Sequence, residues 1–158
     1  MKTIASIIDD ARSGAGTVGI LGLGVTGLAA AEYLVERGVR VIGLERSQAD
    51  NAALRRRCSP GTLERLATKA ELHFGIDGEK LTPYLEGMTA CVISPGVSTE
   101  GAACGALKRN HIRLTSELEL ALAFSQNEAV VVTGSNGKST TTQLLAAMLD
   151  RSGIPHLK

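Results

Sequence analysis

Thr17-Val18-Gly19-Ile20-Leu21-Gly22-Leu23-Gly24-Val25-Thr26-Gly27 is the stretch that decides the fold. Its first five residues read as a buried strand, and the six that follow carry a full G-x-G-x-x-G. A helix follows through Arg37, with Leu28, Ala31, Leu34 and Val35 spaced to face a core and Gly38 as its stop. Residues 39–44 form a second strand that ends on Glu45. A glycine turn alone says little. With a strand before it, a helix after it and an acid at the tip of the next strand, it has the context of a diphosphate-binding βαβ unit. Gly22 permits the tight turn, Gly24 lets the backbone approach a diphosphate, and Gly27 allows close helix–strand packing. The N–H groups of Val25 and Thr26 would face phosphate oxygens from the positive end of the helix. By this pattern alone, Glu45 would take the ribose hydroxyls of NAD.

Working outward, Ile4, Ile7, Ile8 and Ala11 recur at helical spacing and predict a short first helix ending near Gly14. Residues 47–60 are polar, and Arg55-Arg56-Arg57 reads as a solvated helix face. A helix over 62–70 with Leu63, Leu66 and Ala67 inward, a short strand over 72–74 and a helical turn over 81–85 come next. Residues 89–93 are a buried strand ending at Ser94-Pro95-Gly96. In a doubly wound sheet, ligands lie beyond the carboxyl ends of the strands at the switch point, so this loop and the Gly22 loop are expected to flank one crevice. Gly96 is expected to supply an unusual backbone angle there. A helix over 100–109, a strand over 112–114 and a helix over 116–123, capped by Thr115 or Ser116, complete the unit. His73 has no partner cluster in sequence and reads as structural. The expected class is α/β: a Rossmann-like, mostly parallel sheet with flanking helices.

A second glycine-punctuated loop lies further on, in Val130-Val131-Val132-Thr133-Gly134-Ser135-Asn136-Gly137-Lys138-Ser139-Thr140. It reads as a strand, a loop and a helix opening on Lys138 or Ser139. Leu144, Leu145, Met148 and Leu149 share one helix face, and Gly153 stands at the C′ position. The spacing Gly134-x-x-Gly137-Lys138-Ser139 is shorter than the standard P-loop, but Gly, Lys, Ser and Thr arrive together as a nucleoside triphosphate site requires. Gly134, Ser135, Asn136 and Gly137 would present backbone N–H groups, and Lys138 a point charge for the outer phosphates. A hydroxyl of Ser139 or Thr140 would ligate Mg²⁺. The polar Ser125-Gln126-Asn127-Glu128 is the best boundary. It divides residues 1–126, a Rossmann-like domain, from 127–158, the strand–loop–helix start of a second α/β domain.

The bulk properties exclude several classes. A net charge of +1 gives no support for a nucleic-acid or anionic-membrane partner. No apolar run approaches the roughly 20 residues of a membrane span. Asp9, Asp10 and Arg12 interrupt the N-terminal apolar positions, which therefore make no signal peptide. Three cysteines, Cys58, Cys91 and Cys104, without metal spacing point to reduced thiols and a cytoplasmic protein.

Thr133 to Thr140 resembles the ATP loop of the Mur ligases, which add amino acids to the UDP-linked peptidoglycan precursor. Gly22 to Gly27 and Ser94-Pro95-Gly96 are similar, in the same order, to loops of the members that add D-glutamate to UDP-N-acetylmuramoyl-L-alanine. The resemblance implies that residues 22–27 hold the UDP-sugar diphosphate, with Glu45, Arg46 and Ser94-Pro95-Gly96 toward the uracil. Glu45 stands where the family commonly has Asp. It further implies an ATP- and Mg²⁺-dependent ligase, monomeric and cytoplasmic, that forms an acyl phosphate attacked by the D-glutamate amine, with Lys138 as the catalytic charge. Ser116 to Leu120 resembles the segment before the inter-domain connection; an ordinary capped helix explains Glu117 and Glu119 as well. The chain is expected to be the first part of a longer enzyme and inactive alone. A non-catalytic UDP-sugar-binding module and an NAD(P)-dependent oxidoreductase domain remain as alternatives. Two phosphate cradles in one chain favour the ligase, because an oxidoreductase needs only the first and a simple NTPase only the second.

Overall fold

The computed structural model describes residues 3–50, 52, 56 and 60–156. Of the arginine run and its neighbours, Arg55, Arg57 and Cys58 lie outside the described residues, and Arg56 is helical and exposed. The chain forms two compact units, Met1–Ser125 and Gln126–Lys158.

The first unit is built on a five-stranded sheet in the order β3-β2-β1-β4-β5. Its strands are β1 (Thr17–Leu21), β2 (Val41–Glu45), β3 (Glu71–Phe74), β4 (Met88–Ile93) and β5 (Arg113–Ser116). Every neighbouring pair is parallel, with Leu21 beside Leu44 on one side and Ile93 on the other. All carboxyl ends therefore emerge along one edge. The chain steps outward from β1 to β2 and β3, then returns to place β4 on the far side of β1. The switch point falls between β1 and β4.

Parallel strands are covered on both faces, and the alternation of side chains sorts them. Val18 and Ile20 of β1 point into a core shared with α1 (Ile4–Asp10), α2 (Val25–Glu36), α3 (Thr62–Ala67) and α5 (Glu117–Phe124). Leu21, Ile42, Leu44, Cys91 and Ile93 point to the opposite core, under α4 (Ala102–Arg109) and the 3₁₀ segment Gly78–Tyr84. The periodicities of α1 and α2 are realised: Ile4, Ile8, Leu28, Ala31 and Leu34 are buried. Ala67, expected inward, is exposed, because α3 ends there and only Leu63 and Leu66 reach the core. Cys91 and Cys104 are free and buried, and burial pushes both thiols up, which keeps them protonated. The His73 ring lies 4.0 Å from that of Tyr84, tilted by 39°, and its Nε2 lies 2.6 Å from Glu71 Oε1.

The end of α4 stores a small strain. His111 has φ 57°, and the turn closes with His111 N–H donating to Lys108 (3.1 Å) and Ile112 N–H to Leu107 (3.0 Å). This is the helix stop in which glycine is preferred. His111→Gly is expected to stabilise the protein by about 0.5–1 kcal/mol, read as a raised denaturant midpoint at unchanged slope. A lowered midpoint would show that the imidazole makes a contact worth more than the strain.

In the second unit, α6 spans Lys138–Arg151 and stops with Gly153 at φ 66° and Ile154 N–H on the Leu149 carbonyl (3.0 Å). Two expectations need correction here. Residues 130–133 form no strand, and Val130 and Val131 are 73% and 63% exposed. A strand needs a hydrogen-bonded neighbour, and no other strand lies among the described residues of this unit. Likewise the expected apolar face of α6 is only partly covered. Leu145 and Leu149 are half-buried, but Leu144 and Met148 are exposed.

Candidate functional site

The carboxyl edge of the first unit gathers the loops that the sequence singles out. Gly22 has φ 92°, which a residue with a side chain rarely adopts, and its N–H donates to the Leu44 carbonyl at 2.8 Å. The chain then enters α2 with Gly24 as N-cap and no side chain capping the turn. The first internal bond of α2 runs from Leu28 N–H to Gly24 at 2.9 Å. The N–H groups of Val25, Thr26 and Gly27 therefore have no carbonyl partner within the helix and form its positive end. Val25 is 63% exposed and Thr26 half-buried.

The three motif glycines do different work. A Cβ on Gly27 would lie 1.9 Å from the Gly22 carbonyl oxygen and 2.6 Å from Ser94 Oγ, so the crossing of α2 over the loop leaves room for no side chain. A Cβ on Gly24 would meet nothing within 4 Å. Its backbone is open on the side where a side chain would stand. Gly96 departs from expectation: it is not among the positive-φ glycines, because an ordinary turn, closed by Val97 N–H on Ser94 (2.9 Å), already reverses the chain.

Glu45 and Ser94 are held more firmly than the sequence suggests. Glu45 is only 9% exposed, and its carboxylate accepts from Leu23 N–H at 2.7 Å and from Ser47 N–H at 2.8 Å. Ser94 is buried and its hydroxyl donates to the Gly22 carbonyl at 2.6 Å. The Gly22 loop is thus tied to β2 on one side and to β4 on the other. Arg46 and Pro95 are exposed at the same edge, and Arg46 pairs with Asp77 at 3.4 Å. Nothing local in the sequence points to Asp77, because only the sheet makes the ends of β2 and β3 neighbours. Glu119 is engaged in structure: burial works against its charge, but the Thr115 hydroxyl and Arg113, both at 2.9 Å, outweigh it and hold the carboxyl below its ordinary range.

The second unit holds the other loop. Gly134 (φ 148°) and Gly137 (φ 79°) set the backbone, and Gly137 is the N-cap of α6. The first internal helix bond is Thr141 N–H to Gly137 at 2.9 Å, and again no side chain caps the turn. Lys138 is folded back, its ammonium donating to the carbonyls of Gly134 and Ser135. Ser135, Asn136, Ser139 and Thr140 are exposed. A shallow hollow at the helix start is lined by Lys138, Ser139, Thr142 and Gln143. Among the described residues no cluster of three or more His, Cys, Asp or Glu could hold a metal. The residues present would therefore offer Mg²⁺ only one or two hydroxyl ligands, from Ser139 and Thr140. Among the described residues, no helix is long and apolar enough to cross a membrane.

Comparison with known proteins matches this geometry to a family. The profile described as "Mur ligase MurD-like, N-terminal domain" matches residues 16–116. The chain is 38% identical over 137 residues to a UDP-N-acetylmuramoylalanine–D-glutamate ligase of Teredinibacter turnerae, covering 85% of the chain and 28% of that relative. It is 34% identical over 134 residues to the enzyme of the same name from Caldanaerobacter subterraneus, again covering 28% of the relative. In fold it is similar to a UDP-N-acetylmuramate:L-alanyl-gamma-D-glutamyl-meso-diaminopimelate ligase from Neisseria meningitides (TM-score 0.54, 20% identity, 87% of this chain and 40% of that one). An all-parallel sheet with a glycine loop at its switch point, matched by a family profile over most of the first unit, places the chain by descent: it belongs to the MurD-like N-terminal domain family of the Mur ligases.

Proposed function

We propose that the chain supplies the UDP-sugar site and the ATP loop of a ligase that adds D-glutamate to UDP-N-acetylmuramoyl-L-alanine in peptidoglycan precursor synthesis. The observation that carries this reading is the pair of uncapped helix N-termini, each opened by a positive-φ glycine turn, at α2 and at α6. One suits the diphosphate of a nucleotide-linked sugar. The other suits the phosphates of ATP. The UDP diphosphate lies on residues 22–27, and the uracil lies toward the loops that carry Glu45, Arg46 and Ser94-Pro95-Gly96. ATP lies on residues 134–140, with Mg²⁺ on a hydroxyl of Ser139 or Thr140.

In the proposed reaction the terminal carboxylate of the substrate attacks the γ-phosphorus of ATP. ADP leaves, and the amine of D-glutamate displaces phosphate from the acyl phosphate to form the amide. Bound Mg²⁺ would neutralise charge on the phosphate oxygens. This chain's part is positioning and charge: the α2 N-terminus anchors the nucleotide end, and Lys138 neutralises the outer phosphates. The NAD alternative is weakened by Glu45, which is 9% exposed and already accepts a backbone N–H on each carboxylate oxygen.

A calorimetric titration of the chain with UDP-N-acetylmuramoyl-L-alanine and, separately, NAD tests the reading. Saturable binding of the UDP-sugar and none of NAD is expected; the reverse would overturn it. Thr26 should matter more than Val25, since only its side chain can donate a hydroxyl to phosphate. Thr26→Val is expected to weaken UDP-sugar binding about tenfold or more, the worth of one charge-assisted hydrogen bond, and Val25→Ala hardly at all. Equal affinities for Thr26→Val and the parent would remove that hydroxyl from the site.

A further inference from the structure

The acid at the tip of β2 and the serine at the end of β4 stand where a nucleotide-reading side chain is expected, yet both are turned to the glycine loop. Glu45 accepts from Leu23 N–H (2.7 Å) and Ser47 N–H (2.8 Å), and Ser94 donates to the Gly22 carbonyl (2.6 Å). Both side chains are buried. The register explains why they reach it: Leu21 lies between Leu44 and Ile93, so the residues that follow these three positions, Gly22, Glu45 and Ser94, meet over the same turn.

Resting on the diphosphate site proposed above, we infer that Glu45 and Ser94 are positioning residues: a two-sided clasp that holds residues 22–24 in the anion-binding shape, not readers of the base. A buried carboxylate beside a site for a doubly charged diphosphate would repel the ligand if it stood open. With each oxygen on a backbone N–H, its charge is matched locally. Leu23 N–H is taken by Glu45, so the phosphate contacts fall to the N–H groups of Val25 and Thr26 at the α2 N-terminus. The longer Glu side chain suits this role, because it spans from the end of β2 to the loop after β1.

The test has two readouts on the whole chain. Glu45→Gln leaves one carbonyl oxygen and presents an NH₂ group to the other backbone N–H, so one arm of the clasp is lost. In the ligand-free chain, exchange of whichever of the Leu23 and Ser47 amides loses its acceptor is expected to accelerate at least about tenfold, while the Gly19 and Ile20 amides in β1 keep their protection. In titrations followed by NMR shifts, UDP affinity is expected to fall about tenfold and uridine affinity to stay unchanged. Ser94→Ala is expected to act in the same direction, and the double variant to lose less than the product of the two single effects, since both hold one loop. Unchanged exchange of both the Leu23 and the Ser47 amides in Glu45→Gln overturns the clasp. So does an equal loss for uridine and UDP, which would make Glu45 a reader of the nucleoside. If Glu45→Gln does not fold, Ser94→Ala decides by the same two measurements. If the parent binds neither UDP nor the UDP-sugar, the ligand reading falls while the exchange of the Leu23 and Ser47 amides still decides the clasp.

Discussion

Gly27→Ala is expected to destabilise the first unit by about 2–3 kcal/mol, or roughly 10 °C in Tm, and to abolish measurable UDP-sugar binding. The sign is the reverse of the usual one. Inside a helix, alanine ordinarily exceeds glycine by roughly 0.5–1 kcal/mol, because glycine loses more backbone freedom on folding. At this position the new Cβ would stand 1.9 Å from the Gly22 carbonyl oxygen and 2.6 Å from Ser94 Oγ. The first obstacle is backbone, which no rotamer change relieves. Either α2 lifts off the sheet or the loop moves, and both disturb the N–H groups that would meet phosphate. Gly24→Ala separates packing from binding. Its backbone sits at φ −74°, and a Cβ there meets nothing within 4 Å. Its Tm is expected to stay within about 2 °C of the parent, while UDP-sugar affinity falls about tenfold or more, because the methyl group occupies the approach to the loop. Thermal melts and titrations of the two variants read both effects. A parental Tm for Gly27→Ala would contradict the crossing geometry, and parental affinity for Gly24→Ala would move the diphosphate elsewhere.

What the sequence shows and what it hides follow from the range of the interactions. β1, β2 and β4 are legible because each is an apolar run ended by a glycine or a polar tip, and burial on both faces of a parallel sheet demands such runs. α2 is legible from its spacing and from Gly38. The clasp is not, because Glu45 and Leu23 are 22 positions apart and meet only through the register of β1 with β2. The same holds for Ser94 and Gly22, 72 positions apart. The pattern at the tip of β2 suggests an acid that faces a ribose or a base. The structure instead turns the acid inward, and only three-dimensional neighbours reveal that. Residues 130–133 show the opposite error. Three consecutive valines are a strong local signal for a strand, but a strand is a property of a pair, and this unit offers no second one among its described residues. Gly96 is a milder case: a glycine beside a ligand loop invites an unusual angle, although the turn from Ser94 to Val97 closes without one.

Lys138→Ala is expected to weaken Mg–ATP binding at least about tenfold while leaving UDP affinity and Tm nearly unchanged. The ammonium donates to the carbonyls of Gly134 and Ser135 at an exposed position. Both sets of bonds are charge-assisted, because the ammonium itself is ionised, but phosphate adds an ion–ion attraction that neutral carbonyls lack. The exchange of partners therefore favours phosphate, and at an exposed position the side chain can leave the two carbonyls at small cost. The loop does not depend on the lysine for its shape, because Gly134 and Gly137 set the backbone angles and α6 begins on its own bond from Thr141 to Gly137. The variant should consequently fold as the parent does. Lys138→Arg is expected to recover only part of the affinity, since a planar fork does not reproduce a compact point charge among phosphate oxygens. Raising the salt concentration should narrow the difference between parent and Lys138→Ala, as screening requires at an exposed site. The measurements are titrations of the three chains with Mg–ATP and with UDP at low and high salt. Equal Mg–ATP affinity for parent and Lys138→Ala would remove the lysine from the nucleotide site, and a parallel loss of UDP affinity would show that the substitution acts on the fold rather than on ATP.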